Sequence, residues 1–159
     1  YFVIYFVRSY CMKGFTLLEM LLALGILAVT SVITVTSLSN TNTNKALGIE
    51  ADKVISLIFK ARGSTLAAKD GSVFGVHFEE QKAVLFRGAS FSSGASGNQI
   101  QALHDAVKIA AISLSGGGSE VVFQKLTGAT AQTGTVRLSL ISNTNASTTI
   151  TIAATGIAY

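Results

Sequence analysis

The amino-acid sequence predicts an α+β protein: a long N-terminal helix, transmembrane in its first part, packed on a C-terminal antiparallel β-sheet domain. Three observations carry this expectation. Residues 15–38 form an apolar run of 24 residues containing a single charge, Glu19. Leu47, Val54, Ile58 and Ala61 then recur at helical spacing. Beyond Gly71, short β-rich runs alternate with glycine-rich or polar breaks.

The apolar run reads FTLLEMLLALGILAVTSVITVTSL. As a helix it would extend about 36 Å at 1.5 Å per residue, against a bilayer core about 30 Å thick. Arg8 and Lys13 precede it without an accompanying acid, so the basic flank is expected to stay cytoplasmic and everything after Asn40 to lie on the far side. Met12 is a candidate start, which would make the first eleven residues upstream sequence. Glu19 is the informative position. A carboxylate near the end of a membrane helix costs roughly 2 to 3 kcal/mol to insert and normally has a partner. Gly25 is the strong helix-weakener of the run, and Thr30, Ser31, Thr34, Thr36 and Ser37 make its distal half less lipophilic.

The helix is expected to restart after the uncharged NTNTN of residues 40–44. From about Lys45 to Ala68 it would be amphipathic, with Glu50, Asp52, Lys53 and Lys60 on the solvated side and Gly71 as its stop. Val73 to Phe78 and Ala83 to Phe86, split by the polar Glu79–Lys82 stretch, predict a hairpin. Gly88 to Asn98, GASFSSGASGN, suits a mobile connection. Val107 to Leu114, Val121 to Leu126, Thr135 to Ile141 and Thr148 to Ala154 complete about six strands. In the third of these four, Val136, Leu138 and Leu140 alternate with Arg137 and Ser139, the pattern of a half-buried strand. The division is thus 1–14 as a leader, 15–39 as the apolar helix, 45–70 as its amphipathic continuation and 71–159 as the β-rich domain.

Composition narrows the functional classes. The chain has 159 residues, 49% of them hydrophobic and only 13% charged, where soluble domains carry about 25% charged residues. Disorder is excluded for most of the chain. One cysteine, Cys11, forms no intramolecular disulfide, and two histidines without a cysteine cluster do not announce zinc. A net charge of +4 announces no strongly basic nucleic-acid surface.

One motif names a family. Met12-Lys13-Gly14-Phe15-Thr16-Leu17-Leu18-Glu19 places a basic residue, glycine, phenylalanine, three uncharged residues and a glutamate directly before the apolar run. This resembles the class III signal of type IV prepilins and type II secretion pseudopilins. The resemblance implies that prepilin peptidase cuts after Gly14 and that Phe15 becomes an N-methylated N-terminus. It implies that Glu19 pairs with the N-terminal amine of a neighbouring subunit. Its implied partners are other pilins or pseudopilins, the peptidase, the inner membrane and an assembly platform, with no cofactor. Its implied location is the inner membrane, single-pass with the N-terminus cytoplasmic, and then the filament. The chain has no proline, where many members of the family carry one in this helix, so a gentler curve is expected. The helix followed by Phe74–Phe78, Val84–Phe86, Val121–Phe123, the Gly128 loop and Ile150–Ile152 with Gly156 resembles the GspH/FimT-type minor pseudopilins.

Other chemistry finds little support. Ser113–Gly118 lacks the Gly-Lys-Ser/Thr ending of a phosphate loop and reads as a turn. His77 and Glu79 would share one face of a strand, and His104 and Asp105 would point to opposite faces. Neither pair comes with a nucleophile or metal set. No catalytic residue and no metal site is expected. The alternative reading is a DNA-binding minor pilin of a DNA-uptake apparatus, for which Lys108, Lys125 and Arg137 are scattered over separate strands.

Overall fold

A computed structural model describes residues 14–159, with side chains for 14–31 and 45–159. Arg8, Cys11, Met12 and Lys13 of the expected leader lie outside the described residues. So do the side chains of 32–44, including the asparagines and threonines of NTNTN. The order of elements is α1 (Leu17–Leu66), a 3-10 turn (Lys69–Gly71), β1 (Phe74–Glu79), β2 (Lys82–Arg87), β3 (Gln99–Ala102), β4 (Val107–Leu114), β5 (Glu120–Val122), β6 (Gly134–Leu140) and β7 (Ser147–Ile152). Two compact units divide the chain, 1–39 and 40–159.

In the first unit the helix carries apolar side chains on every side. Leu17, Leu18, Leu21, Leu22, Leu24 and Leu27 are all exposed. A helix apolar all round is built to be surrounded by lipid or by other helices. The hydroxyls suit that setting: Thr30 Oγ1 donates to Ile26 O at 3.0 Å and Ser31 Oγ to Leu27 O at 2.6 Å, so neither presents an unsatisfied group. Among the described residues no helix is long and apolar enough to cross a membrane. The run expected to do so continues into 32–44, whose side chains are outside the description.

The helix does not restart after NTNTN; its backbone is continuous through 40–44. Asparagine and threonine are weak helix formers, each costing under about 0.7 kcal/mol, and propagating an existing helix needs no new nucleus. It ends at Leu66 rather than at Gly71, because Ala68 turns left-handed at φ 47° and Asp70 follows at φ 51°.

In the second unit one face of the helix, Leu47, Ala51, Val54, Ile58 and Ala61, joins a single core with both sheets. Glu50 lies on that face too. Far from being solvated, it is only 2% exposed, because it sits three residues after Leu47 and four before Val54. Its Oε1 meets Lys53 Nζ at 2.7 Å, while Oε2 is buried without a partner.

The strands form two antiparallel sheets, β3-β2-β1-β5 and β4-β6-β7. The expected hairpin is β1–β2, with Glu79 opposite Lys82. β4 has the bounds that the sequence predicts. β5 stops at Val122, short of the expected Leu126, and β3, four mostly exposed residues, has no hydrophobic pattern to announce it. A bulge shifts the β4–β6 register between Ile109 and Ala111, bending β4 locally.

The Gly88–Asn98 segment is anchored rather than a free connection. Phe91 stacks on His77 with ring centroids 4.0 Å apart and meets Phe86 edge-on at 5.7 Å. Glu120 Oε2 accepts the Phe91 N–H at 3.0 Å. Gly75 lies beneath this cluster, where a Cβ would come within 2.6 Å of both the Phe86 ring and Val121 O.

Candidate functional site

The residues that the sequence marks for processing and assembly, Gly14, Phe15 and Glu19, sit at the start of the first unit. Gly14, Phe15 and Thr16 precede the helix, and all three are exposed. A Cβ built on Gly14 meets nothing within 4 Å, so no described contact of the chain itself demands glycine there. The 14–15 peptide bond stands outside helical structure, as an accessible backbone segment.

Thr16 starts the helix. Its Oγ1 accepts the Glu19 N–H at 3.2 Å, and its carbonyl accepts the Met20 N–H at 3.2 Å as the first helical bond. Thr16 is therefore the N-cap and Glu19 the third helical residue, the spacing of a capping box. This role of Thr16 is legible as Thr-x-x-Glu before an apolar run, and it explains why the helix begins where it does. A negative charge in the first turn also favours the helix dipole. The Glu19 carboxylate itself is exposed and has no partner among the described residues.

The other singled-out residues form no comparable site. His77 Nδ1 lies 3.9 Å from Glu120 Oε2, not beside Glu79, which pairs with Lys82 at 3.2 Å. His77 thus serves to hold Phe91. His104 and Asp105 lie in a turn rather than a strand, and His104 Nδ1 accepts the Ala106 N–H at 3.1 Å. Ser113–Gly118 runs from the end of β4 into its turn. Among the described residues no cluster of three or more metal-ligating side chains occurs. Lys108 pairs with Glu80 at 3.1 Å, Lys125 Nζ donates to Gly71 O, and Arg137 stands exposed on β6.

One structural device has no sequence signal. Arg62 Nε donates to Gly128 O at 3.1 Å and to Thr155 O at 3.2 Å. It ties the helix to two loops far apart in sequence, and both approaches use glycines with positive φ, Gly128 and Gly156.

No curated protein and no solved structure matches the chain. Residues 11–35, which contain Gly14, Phe15, Thr16 and Glu19, match the family model of the prokaryotic N-terminal methylation motif, so the chain carries a type IV pilin-like prepilin signal.

Proposed function

We propose that this chain is a structural subunit, a pilin or pseudopilin, of a type IV filament or a type II secretion system. Prepilin peptidase cuts it between Gly14 and Phe15, Phe15 is N-methylated, and the subunit assembles through its N-terminal helix. The motif match over residues 11–35 carries this reading. Around it stand an exposed 14–15 bond, a glycine that no described contact requires, and a Glu19 carboxylate without a described partner. Before assembly the apolar helix lies in the inner membrane as a single span, with residues after 40 on the far side. The order of helix and strands supports the GspH/FimT-type pseudopilins as the nearer group.

The physical logic links processing to assembly. Only cleavage creates the Phe15 ammonium. A buried ammonium and a buried carboxylate are each costly alone, and pairing them between subunits offsets part of both costs and favours one axial register. Glu19→Ala tests this. The variant should be made, inserted and cleaved, because loss of the carboxylate eases insertion, yet its amount in sheared filaments relative to membranes should fall at least tenfold. Equal incorporation of variant and wild type would refute the charge-pairing role.

A further inference from the structure

The second unit has ten basic and seven acidic residues, and its excess of three positive charges is concentrated at one end, where the helix stops. Arg62, Lys69, Arg87 and Lys125 belong to this end with Asp70 as the lone acid, and the remaining six bases and six acids cancel. Three loops meet here. Lys125 Nζ donates to Gly71 O and joins 124–129 to 67–72. Arg62 Nε joins 124–129 to 153–157, donating to Gly128 O and to Thr155 O. Arg87 reaches 67–72 from the end of β2, with Nε on Ser72 Oγ at 2.7 Å and Nη1 3.4 Å from Asp70 Oδ2. Of these contacts the Arg87–Asp70 pair alone cancels a charge. Arg62 and Lys125 are held by neutral carbonyls, and Lys69 is exposed with no described partner.

The same loops carry apolar side chains into solvent. Leu126 is the apex. With φ 70° and the Thr127 N–H bonded to Lys125 O at 2.8 Å, it is the central residue of a γ-turn of the rarer, strained hand. The loop is closed on both sides, Gly128 N–H to Gln124 O at 3.0 Å and Gln124 N–H to Ala129 O at 2.8 Å. The leucine side chain held there is 94% exposed, the most exposed large apolar residue described in this unit. Leu66 at the end of the helix and Ile157 in the third loop are exposed as well.

An apolar apex among uncancelled cations has the two-part chemistry of a contact with anionic lipid. The cations attract the headgroups, and the leucine enters the boundary between headgroup and acyl chain. A nucleic acid would use the cations and leave the leucine in water. Nor do residues 66–72, 124–129 and 153–157 include an aromatic side chain on which a base could stack.

We propose that this end of the β-rich domain docks on an anionic lipid surface, with Leu126 inserted and Arg62, Lys69 and Lys125 against the headgroups. The docking uses the folded domain alone and does not depend on the filament reading. Each cation near such a surface strengthens binding by about fivefold, and burial of a leucine side chain by at least about tenfold.

Flotation of the full-length chain tests it. The chain is held in nanodiscs of phosphatidylcholine and mixed with vesicles of phosphatidylcholine alone or of phosphatidylcholine with phosphatidylglycerol. Leu126→Gly and Lys69→Glu are the variants. Glycine suits φ 70°, so the first removes the side chain without straining the turn. Lys69 makes no described contact, so the second changes charge alone. Arg8 and Lys13 are common to all three chains and cannot account for a difference between them. The expected result is nanodiscs floating with the anionic vesicles and not with phosphatidylcholine, with recovery reduced at least fivefold by either variant. Soluble glycerol phosphate at the same phosphate concentration should not displace them. Flotation that does not require the anionic lipid, or that Leu126→Gly leaves unchanged, overturns the proposal. Displacement by glycerol phosphate overturns it in favour of a site for free phosphate. Binding of a DNA duplex without flotation on anionic vesicles overturns it in favour of a nucleic-acid surface.

Discussion

Thr65 is buried in the last turn of the helix, 1% exposed, and its hydroxyl closes the joint between helix and sheet. Oγ1 donates to Ala61 O at 3.0 Å and accepts the N–H of Phe74, the first residue of β1, at 2.9 Å. Phe74 is itself buried, at 7% exposure. Thr65→Val keeps the side chain's shape and removes the acceptor, stranding a buried N–H. That costs about 1 to 3 kcal/mol. In a domain of this size about 1 kcal/mol moves Tm by about 4 °C, so Tm should fall by about 4 to 12 °C. Thr65→Ser, which keeps the oxygen and loses one methyl, should cost about 1 kcal/mol. Thermal unfolding of residues 40–159, followed by far-UV circular dichroism, gives both values. A Thr65→Val domain as stable as wild type would refute the assigned role of the hydroxyl.

Gly75→Ala should destabilise the same domain by about 1 to 3 kcal/mol, because the new Cβ would overlap the Phe86 ring and the Val121 carbonyl in the β1–β5 ladder; an unchanged denaturant midpoint would contradict this packing. Glu50→Met should leave the domain as stable or raise its stability by about 1 to 4 kcal/mol, since it replaces a buried carboxylate with one unpartnered oxygen by an apolar side chain; a marked loss would show that the Glu50–Lys53 pair is net stabilising. Residues 40–159 should keep their circular dichroism spectrum in a metal chelator, and a loss of structure there would reveal a metal requirement.

The parts of the fold that were legible in the sequence are those where residue type and spacing agree. Val107–Leu114 is β-rich and bounded by breaks, and it is β4 as read. The Gly14-Phe15 junction and Glu19 stand out because glycine and carboxylate are conspicuous against leucine. Where type and position conflict, type misleads. Glu50 looks solvated, but its spacing from Leu47 and Val54 puts it in the core. Phe91 is hidden among serines and glycines, yet its ring fixes the loop by stacking on His77. β3 is a short, mostly exposed edge strand paired only with β2, so burial leaves no hydrophobic pattern in it. The Leu126 turn and the Arg62 clamp depend on contacts between loops remote in sequence, which no local pattern encodes.

The proposed function requires that the Gly14–Phe15 bond is cut and that the new terminus enters an assembly. Mass spectrometry of the chain recovered from sheared filaments tests both halves at once. The expected N-terminal peptide begins at Phe15 and carries one methyl group on its amine. Filament-borne chain that still holds Gly14 and the residues before it, or a processed chain beginning elsewhere, would contradict it.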